Sequence, residues 1–462
     1  MRVKAISEPR ERREPRQPRE RRQAEAGFTL VEVLVALFVM AEMTLAILLL
    51  FDFSNKLSRV QTNIADMQQS LRVAQYDAVR LVRMTGRGGL PDTPLTATPA
   101  NAQASATLSS PAFAVRDNVP NGAVIGAAGS PTVVQGTDVL TIRGVFSNPV
   151  YQVVPSASAF TYNTATGQGT ITISTSVPTP QNGTPIPQHL DALATAVQTS
   201  VPEALVLVSG TSDQIYAVVE LDPASSNVAN AATTGVTIAF RTTGGTRTAA
   251  YNALSPGGAF PATTMKSVAT VGILEEYRIY VRSFSNNPPS GTATDADKAA
   301  ALNSKLTRAR MFPNSDDAYG SGNATANAPN LSLDVADDVT DFQVALGFDT
   351  PQGGGSISGS TPPVNLVDTG DAADDWLFNS KADLPINLAT WNNMPLYYIR
   401  LNTLVRTDRP DPKYLAPLLV GIEDRPYNGA QSDSWSQAFN QGHSQMFRRR
   451  LLQTIVDMRN LG

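Results

Sequence analysis

The stretch Gly27-Phe28-Thr29-Leu30-Val31-Glu32 opens the part of the sequence that decides the fold. An apolar run follows it as far as Phe51, and the only charged residues from Phe28 to Phe51 are Glu32 and Glu42. About 20 apolar residues of helix are enough to cross a bilayer. The run therefore predicts a membrane-spanning helix that carries two carboxyl groups, each of which needs a partner or a proton inside hydrocarbon.

A basic segment precedes this apolar run. Residues 1–27 contain nine basic and five acidic side chains, a net charge of +4, together with three prolines. Such a segment is expected to stay in the cytoplasm under the positive-inside rule. It lacks the small-residue cleavage site that ends a secretory signal, and its interleaved acids argue against a nucleic-acid-binding arm.

Beyond Phe51 the helical pattern continues, but it becomes amphipathic. Apolar residues recur at steps of three and four with charged residues between them, and Gly86, Gly88 and Gly89 then end the pattern. The stripe predicts packing onto the chain's own sheet, with a coiled-coil dimer as the alternative. Its members are Phe53, Leu57, Val60, Ile64, Met67, Leu71, Ala74, Ala78 and Leu81.

The rest of the chain is rich in Ala, Thr, Ser, Asn, Gly and Pro and is expected to form a β-rich domain. Without alternating helical patterns, its short β-branched segments predict a largely antiparallel sheet. Low-complexity segments at 91–130, 286–330 and 350–375 are expected to be surface insertions. The predicted strands are Asp138–Phe146, Gly169–Val177, Ala204–Val208, Gln214–Leu221, Gly235–Phe240, Tyr277–Val281, Val339–Phe348 and Leu396–Val405.

The basic leader followed by Gly-Phe-Thr-Leu-Val-Glu and an apolar helix resembles the class III signal of type IV prepilins and related secretion pseudopilins. The resemblance implies that a prepilin peptidase cuts between Gly27 and Phe28 and methylates the new amino terminus at Phe28. It also implies that Glu32 attracts the terminal amine of a neighbouring subunit during assembly.

Four further segments resemble the minor pilins of the PilW class. They are the end of the helical pattern from Arg72 to Gly86, the pair of segments Leu331–Asp349 and Leu396–Arg406, and the closing segment Arg448–Asn460. The resemblance implies a pilin-like α+β fold with a long N-terminal helix packed on a largely antiparallel β domain that has long insertions. It divides the chain into a leader at 1–27, a membrane or bundle segment at 28–51, an amphipathic segment at 52–86 and an extracytoplasmic β domain at 87–462.

Residues that could carry chemistry are sparse. His189 and His443 stand alone and the chain has no cysteine, so no metal or cofactor site is expected. Acids near a glycine-rich segment could bind calcium or form a solvated loop; they are Asp349, Asp371, Asp374 and Asp375. Three consecutive arginines could dock an anionic partner or protect an edge strand; they are Arg448, Arg449 and Arg450.

The sequence therefore predicts a structural subunit rather than an enzyme. The resemblance implies a minor pilin that helps to prime type IV pilus assembly, with the prepilin peptidase, other minor and major pilins and the inner membrane as partners. The mature chain is expected to be a single-pass inner-membrane protein that can enter a pilus tip. After the leader it has 27 basic and 35 acidic residues, which predicts no nucleic-acid partner. The alternatives are a J-type pseudopilin of type II secretion and a surface adhesin or enzyme anchored by a pilin signal.

Overall fold

A computed structural model of the chain describes residues 29–93, 95, 108–120, 122–126, 132–173, 190–210, 215–228, 236–283, 304–317, 319, 332–349, 375–378, 396–428, 434–440 and 442–458. The chain divides into two compact units, Met1–Val60 and Gln61–Gly462. The described part of the first unit is almost entirely helix, and the second unit contains all the described strands.

Helix α1 runs from Leu30 to Arg83 without interruption. Its sequence contains neither glycine nor proline, the two residues that most strongly disfavour a helix interior. The helix ends where glycines allow a left-handed backbone: φ is 104° at Gly88 and 90° at Gly89. A Cβ atom on Gly89 would also lie 2.6 Å from a methyl group of Val208, so the turn after α1 packs directly against the β domain.

The first sheet has twelve strands, and every described pairing in it is antiparallel. Its backbone follows the order β1-β2-β3-β10-β7-β8-β9-β6-β5, with β4, β11 and β12 attached beside β10. The strands are β1 Leu108–Ser109, β2 Phe113–Arg116, β3 Val139–Gly144, β4 Tyr151–Gln152, β5 Phe160–Asn163, β6 Gln168–Ile173, β7 Ala204–Val208, β8 Tyr216–Leu221, β9 Val236–Arg241, β10 Thr270–Ser283, β11 Ser304–Met311 and β12 Ser332–Asp337.

A second, four-stranded antiparallel sheet has the order β14-β13-β15-β18. The remaining elements are β13 Val339–Asp349, β14 Asp375–Phe378, β15 Leu396–Arg406, a ribbon of β16 Gly421–Ile422 with β17 Arg425–Pro426, and β18 Arg449–Asp457. Short helices α2 Asp191–Gln198, α3 Thr248–Asn252 and α4 Ser434–Phe439 and 3₁₀ turns at Pro223–Ser225, Pro256–Gly258 and Gly442–Met446 lie between strands.

The C-terminal part of α1 packs into the main hydrophobic core together with residues of both sheets. Its buried side chains share this core with Phe113 and Ile142 of the first sheet and Phe342 and Ile399 of the second. The predicted packing of the amphipathic stripe onto the chain's own sheet is thus confirmed for this part of the helix. The buried helical residues are Met67, Leu71, Ala74, Ala78, Leu81 and Val82. Burying each large apolar side chain contributes about 1.5–3 kcal/mol.

The predicted fold class is confirmed: a long N-terminal apolar helix leads into a largely antiparallel β domain. Each of the eight predicted strands overlaps a strand of the structure, although β10 extends well beyond its predicted range of Tyr277–Val281. The expectation of surface insertions was wrong for parts of two segments, because β2 and β11 are strands of the first sheet and Phe113 is fully buried. Most of the third segment, 350–374, lies outside the described residues.

A buried charge network lies where β3 and β10 pair. Arg143 and Glu276 are register partners, with Nε and Oε2 2.7 Å apart and both side chains fully buried. Arg278 donates to Oε1 of Glu276 at 2.9 Å, and the backbone N–H of Asn314 donates to Oε2 at 2.7 Å. Burial alone would raise the pKa of Glu276, but Arg143, Arg278 and the Asn314 N–H reverse this effect and lower it. The carboxylate is therefore kept ionised inside the sheet.

Candidate functional site

The N-terminus of α1 is closed by a reciprocal pair of hydrogen bonds between Thr29 and Glu32. The Glu32 N–H donates to Oγ1 of Thr29 at 3.3 Å, and the Thr29 N–H donates to Oε2 of Glu32 at 2.9 Å. The Thr29 hydroxyl also donates to Oε2 at 3.0 Å. This is a capping box, which satisfies two N–H groups that have no partner within the helix. The spacing Thr29-x-x-Glu32 predicts this local role, which the resemblance to prepilins does not.

The capping box leaves half of the Glu32 carboxylate available. Both bonds from Thr29 end on Oε2, and within the described residues Oε1 accepts no hydrogen bond. The carboxylate also lies at the positive end of the helix macrodipole, which holds a negative charge favourably. The site can therefore accept one further cationic or hydrogen-bond-donating group. Gly27 and Phe28, where cleavage and methylation are expected, lie outside the described residues.

The N-terminal part of α1 is exposed along its whole length. Every side chain from 29 to 59 is exposed, including large apolar residues such as Phe38 and Leu49. Within the described part of the chain, α1 is the one helix long and apolar enough to span a membrane. An apolar surface that continues around a helix for many turns is typical of a membrane span or a helix bundle.

The C-terminal part of α1 is held to the β domain by polar contacts as well as by the core. Nη1 of Arg308, on β11, donates to both carboxylate oxygens of Asp77 at 2.8 and 3.0 Å. The amide of Gln75 donates to the hydroxyl of Thr454 on β18. The N–H of Gly86 donates to the carbonyl of Arg143 at 2.9 Å. Residues 61–86 are therefore fixed to both sheets.

Two of the three consecutive arginines, Arg448 and Arg449, form contacts within the chain. Arg448 forms an ion pair with Asp411 at 2.9 Å, and Arg449 donates to the carbonyls of Phe439 and Ser444. Burial lowers the pKa of Arg449 to about 10. Of the three, only Arg450 is exposed, and it lies on β18 at the edge of the second sheet. This arrangement fits the edge-protection interpretation better than a docking patch.

The remaining sequence candidates do not converge on a described site. Asp349 and Asp375 are register partners on β13 and β14, while Asp371 and Asp374 lie outside the described residues. His189 also lies outside them, and His443 is in the 3₁₀ turn Gly442–Met446. Among the residues that the structure describes, no group of three or more histidines and acids could hold a metal ion.

Comparisons with known proteins point to the N-terminal segment. Residues 22–50 match the family described as the prokaryotic N-terminal methylation motif. No curated protein matches the sequence. Among solved structures, a type IV-like pilin from Thermus thermophilus aligns with 59% of this chain and 95% of its own, at 15% identity and a TM-score of 0.17.

Proposed function

We propose that this chain is a minor pilin-like structural subunit that helps to initiate type IV pilus assembly. The observation that carries the proposal is the methylation motif over residues 22–50. Together with an apolar helix that leads into an antiparallel β domain, the motif supports a pilin-type structural subunit rather than an enzyme. Two parts of the proposal go beyond what the motif supports: the role as a minor pilin and the priming of assembly.

The proposed processing follows from the position of the motif. Residues 1–27 form a cytoplasmic leader that the prepilin peptidase removes by cutting between Gly27 and Phe28. Phe28 is then methylated on its amine. Residues 28–51 anchor the mature chain in the inner membrane and later enter the pilus bundle, residues 52–86 form the amphipathic segment, and residues 87–462 form the extracytoplasmic domain.

The two parts of α1 have different roles in the proposed assembly. The exposed apolar part can move from lipid into a bundle of similar helices without exposing apolar surface to water, because both surroundings are apolar. The part from 61 to 83 is fixed to the sheets by its buried face and by the bond from Arg308 to Asp77. Movement of this part of the helix is therefore transmitted to the β domain.

The resemblance of Arg72–Gly86 and Arg448–Asn460 to PilW-class segments favours the pilus over the alternatives. A J-type pseudopilin of type II secretion shares the signal and the helix but usually has a much smaller domain. An adhesin or enzyme anchored by a pilin signal would need a dedicated binding or catalytic site in the β domain. These alternatives differ in which process fails when the chain is missing.

Deleting the gene that encodes this chain tests the proposal directly. The expected result is a large loss of surface pili while the major pilin stays at its normal level in the membrane and type II secretion continues. Complementation with the full-length chain should restore the pili and is the matched control. A deletion strain with normal pili and defective secretion would instead identify a pseudopilin, and normal pili with normal secretion would contradict both assembly roles.

A further inference from the structure

Glu42 is an acidic residue in the apolar part of α1 that has no partner among the described residues of its own chain. Its side chain is exposed, and within the described residues it makes no hydrogen bond or ion pair. The sequence from Phe28 to Asn55 contains no lysine, arginine or histidine. The first cation, Lys56, is about 21 Å further along the helix and already pairs with Asp52 at 2.5 Å.

The nearest other polar side chain cannot help Glu42 either. The hydroxyl of Thr44 donates to the carbonyl of Met40 at 2.7 Å, and it points about 200° around the helix from Glu42. A charged acid near the middle of a membrane helix costs several kcal/mol, so such residues are protonated or face another helix. No described residue of the same chain reaches Glu42, so a group that forms a hydrogen bond with its side chain inside the membrane comes from a different chain.

The surface around Glu42 suits the close approach of a second helix. Residues three and four positions away share its face, and these are Phe38, Val39, Leu45 and Ala46. Alanine has a small side chain that lets two helix backbones come close together in a membrane. Glu32 lies about 80° away around the helix axis. A helix that covers Glu42 therefore leaves the Glu32 side open for another neighbour.

We propose that Glu42 is the contact point of a homotypic pair, in which two copies of α1 pack in parallel within the membrane. Copies with the same topology place the same residue at the same depth, and where Glu42 lies on the two-fold axis of the pair, the two copies of Glu42 face each other. A protonated carboxyl group has one O–H donor and a carbonyl acceptor, so two of them satisfy each other with two hydrogen bonds. The two protons come from water during insertion, and no charge remains in the hydrocarbon.

This pairing rests on the proposed membrane anchoring, and it adds a step in which the subunit self-associates before it enters a pilus. A second copy fits this face because it carries the same carboxyl group at the same depth, and a protonated carboxyl group is complementary to another one. If a different pilin subunit covers this face, the experiment below distinguishes it from a second copy. Because the chain has no cysteine, a single cysteine at the exposed position Gln61 can carry a fluorescent label without background.

The test is energy transfer between labelled copies of the mature chain in lipid vesicles at several protein-to-lipid ratios. Glu42→Leu is expected to weaken self-association about 3- to 30-fold, the range typical of an interhelical hydrogen bond. Glu42→Gln should keep most of the association because its amide can also donate and accept. Thr44→Leu, the matched control on another face, should leave it unchanged.

Three results would overturn the pairing. One is Glu42→Leu associating as strongly as the unsubstituted chain, and another is Thr44→Leu weakening association equally. The third is that Glu42→Leu lowers binding to other pilin subunits while self-association is unchanged, which would assign this face to a different partner. Vesicle flotation tests membrane insertion separately from pairing. A chain that does not insert would overturn both the membrane anchoring and the pairing. A chain that inserts but shows no Glu42-dependent association would overturn the pairing alone.

Discussion

Glu32→Ala is expected to leave cleavage after Gly27 largely intact but to lower incorporation of the subunit into pili about tenfold or more, as expected for losing one member of a desolvated charge pair. A methylated amine at Phe28 of a neighbouring chain remains cationic. At about 4 Å its attraction to the carboxylate is much stronger in a low-dielectric bundle than in water, although desolvation offsets part of the gain. Surface pili should decrease in parallel.

The capping box supplies the control for this prediction. Thr29→Ala removes the hydroxyl that bonds Glu32 but keeps the carboxylate, so it weakens the helix N-terminus by about 1 kcal/mol without removing the charge. The same strains are assayed for the terminus at Phe28 and for subunit content of sheared pili. Normal piliation with normal processing in Glu32→Ala would rule out the assembly role. Equal losses in both variants would assign the effect to helix capping.

Glu276→Gln is expected to destabilise the β domain by about 3–5 kcal/mol, because it leaves Arg143 buried without its counter-charge. Arg278 retains Asp316 as a second partner at 3.3 Å, so the loss falls mainly on Arg143. The measurement is the urea midpoint of the mature chain in detergent. The control is Asp408→Asn at an exposed ion pair, which should change stability by less than about 1 kcal/mol.

The same network has a defined pH dependence. The pKa of Glu276 is lowered from its ordinary 4.5, so its stabilising contribution is present above that value and is lost as the pH falls through the lower folded value. Glu276→Gln should remove this part of the acid sensitivity. Replacing both partners, as in Arg143→Met with Glu276→Leu, should recover much of the stability. A Glu276→Gln chain as stable as Asp408→Asn would contradict the importance of the network.

These buried charges also explain why one strand is longer than its sequence predicts. Strand β10 runs over fourteen residues, Thr270–Ser283, yet its sequence predicts a strand only at Tyr277–Val281. Glu275, Glu276 and Arg278 break the apolar pattern, although all three are buried. A pattern of apolar residues cannot predict burial that depends on ion pairs with distant strands.

The change from one sheet to the other is a second feature that the pattern does not predict. The segment Leu331–Asp349, which resembles a segment of PilW-class proteins, contains two strands, β12 and β13, that belong to different sheets. Asp338 separates them with φ of 57°, and short polar residues tolerate this left-handed conformation better than most. Its carbonyl accepts the N–H of Arg406 at 3.0 Å. That contact joins residues far apart in sequence, so no local pattern could reveal it.

The N-terminal helix, by contrast, was predictable in both parts. Its period of three and four residues predicts the buried stripe from Met67 to Leu81, and its composition predicts the apolar surface before it. The predicted stripe is too long at its N-terminal end, since Phe53 and Leu57 are exposed. Periodicity identifies a face that can be buried but does not show where the chain supplies a sheet to cover it.

The mass of the mature N-terminus is the most direct test of the central claim that this chain is a processed pilin-type subunit. The protein is isolated from membranes of cells that contain the prepilin peptidase and, as a control, from cells that lack it. We expect a chain that begins with N-methylated Phe28 in the first case and an uncut precursor in the second. A mature chain that still begins at Met1 in the presence of the peptidase would contradict the account.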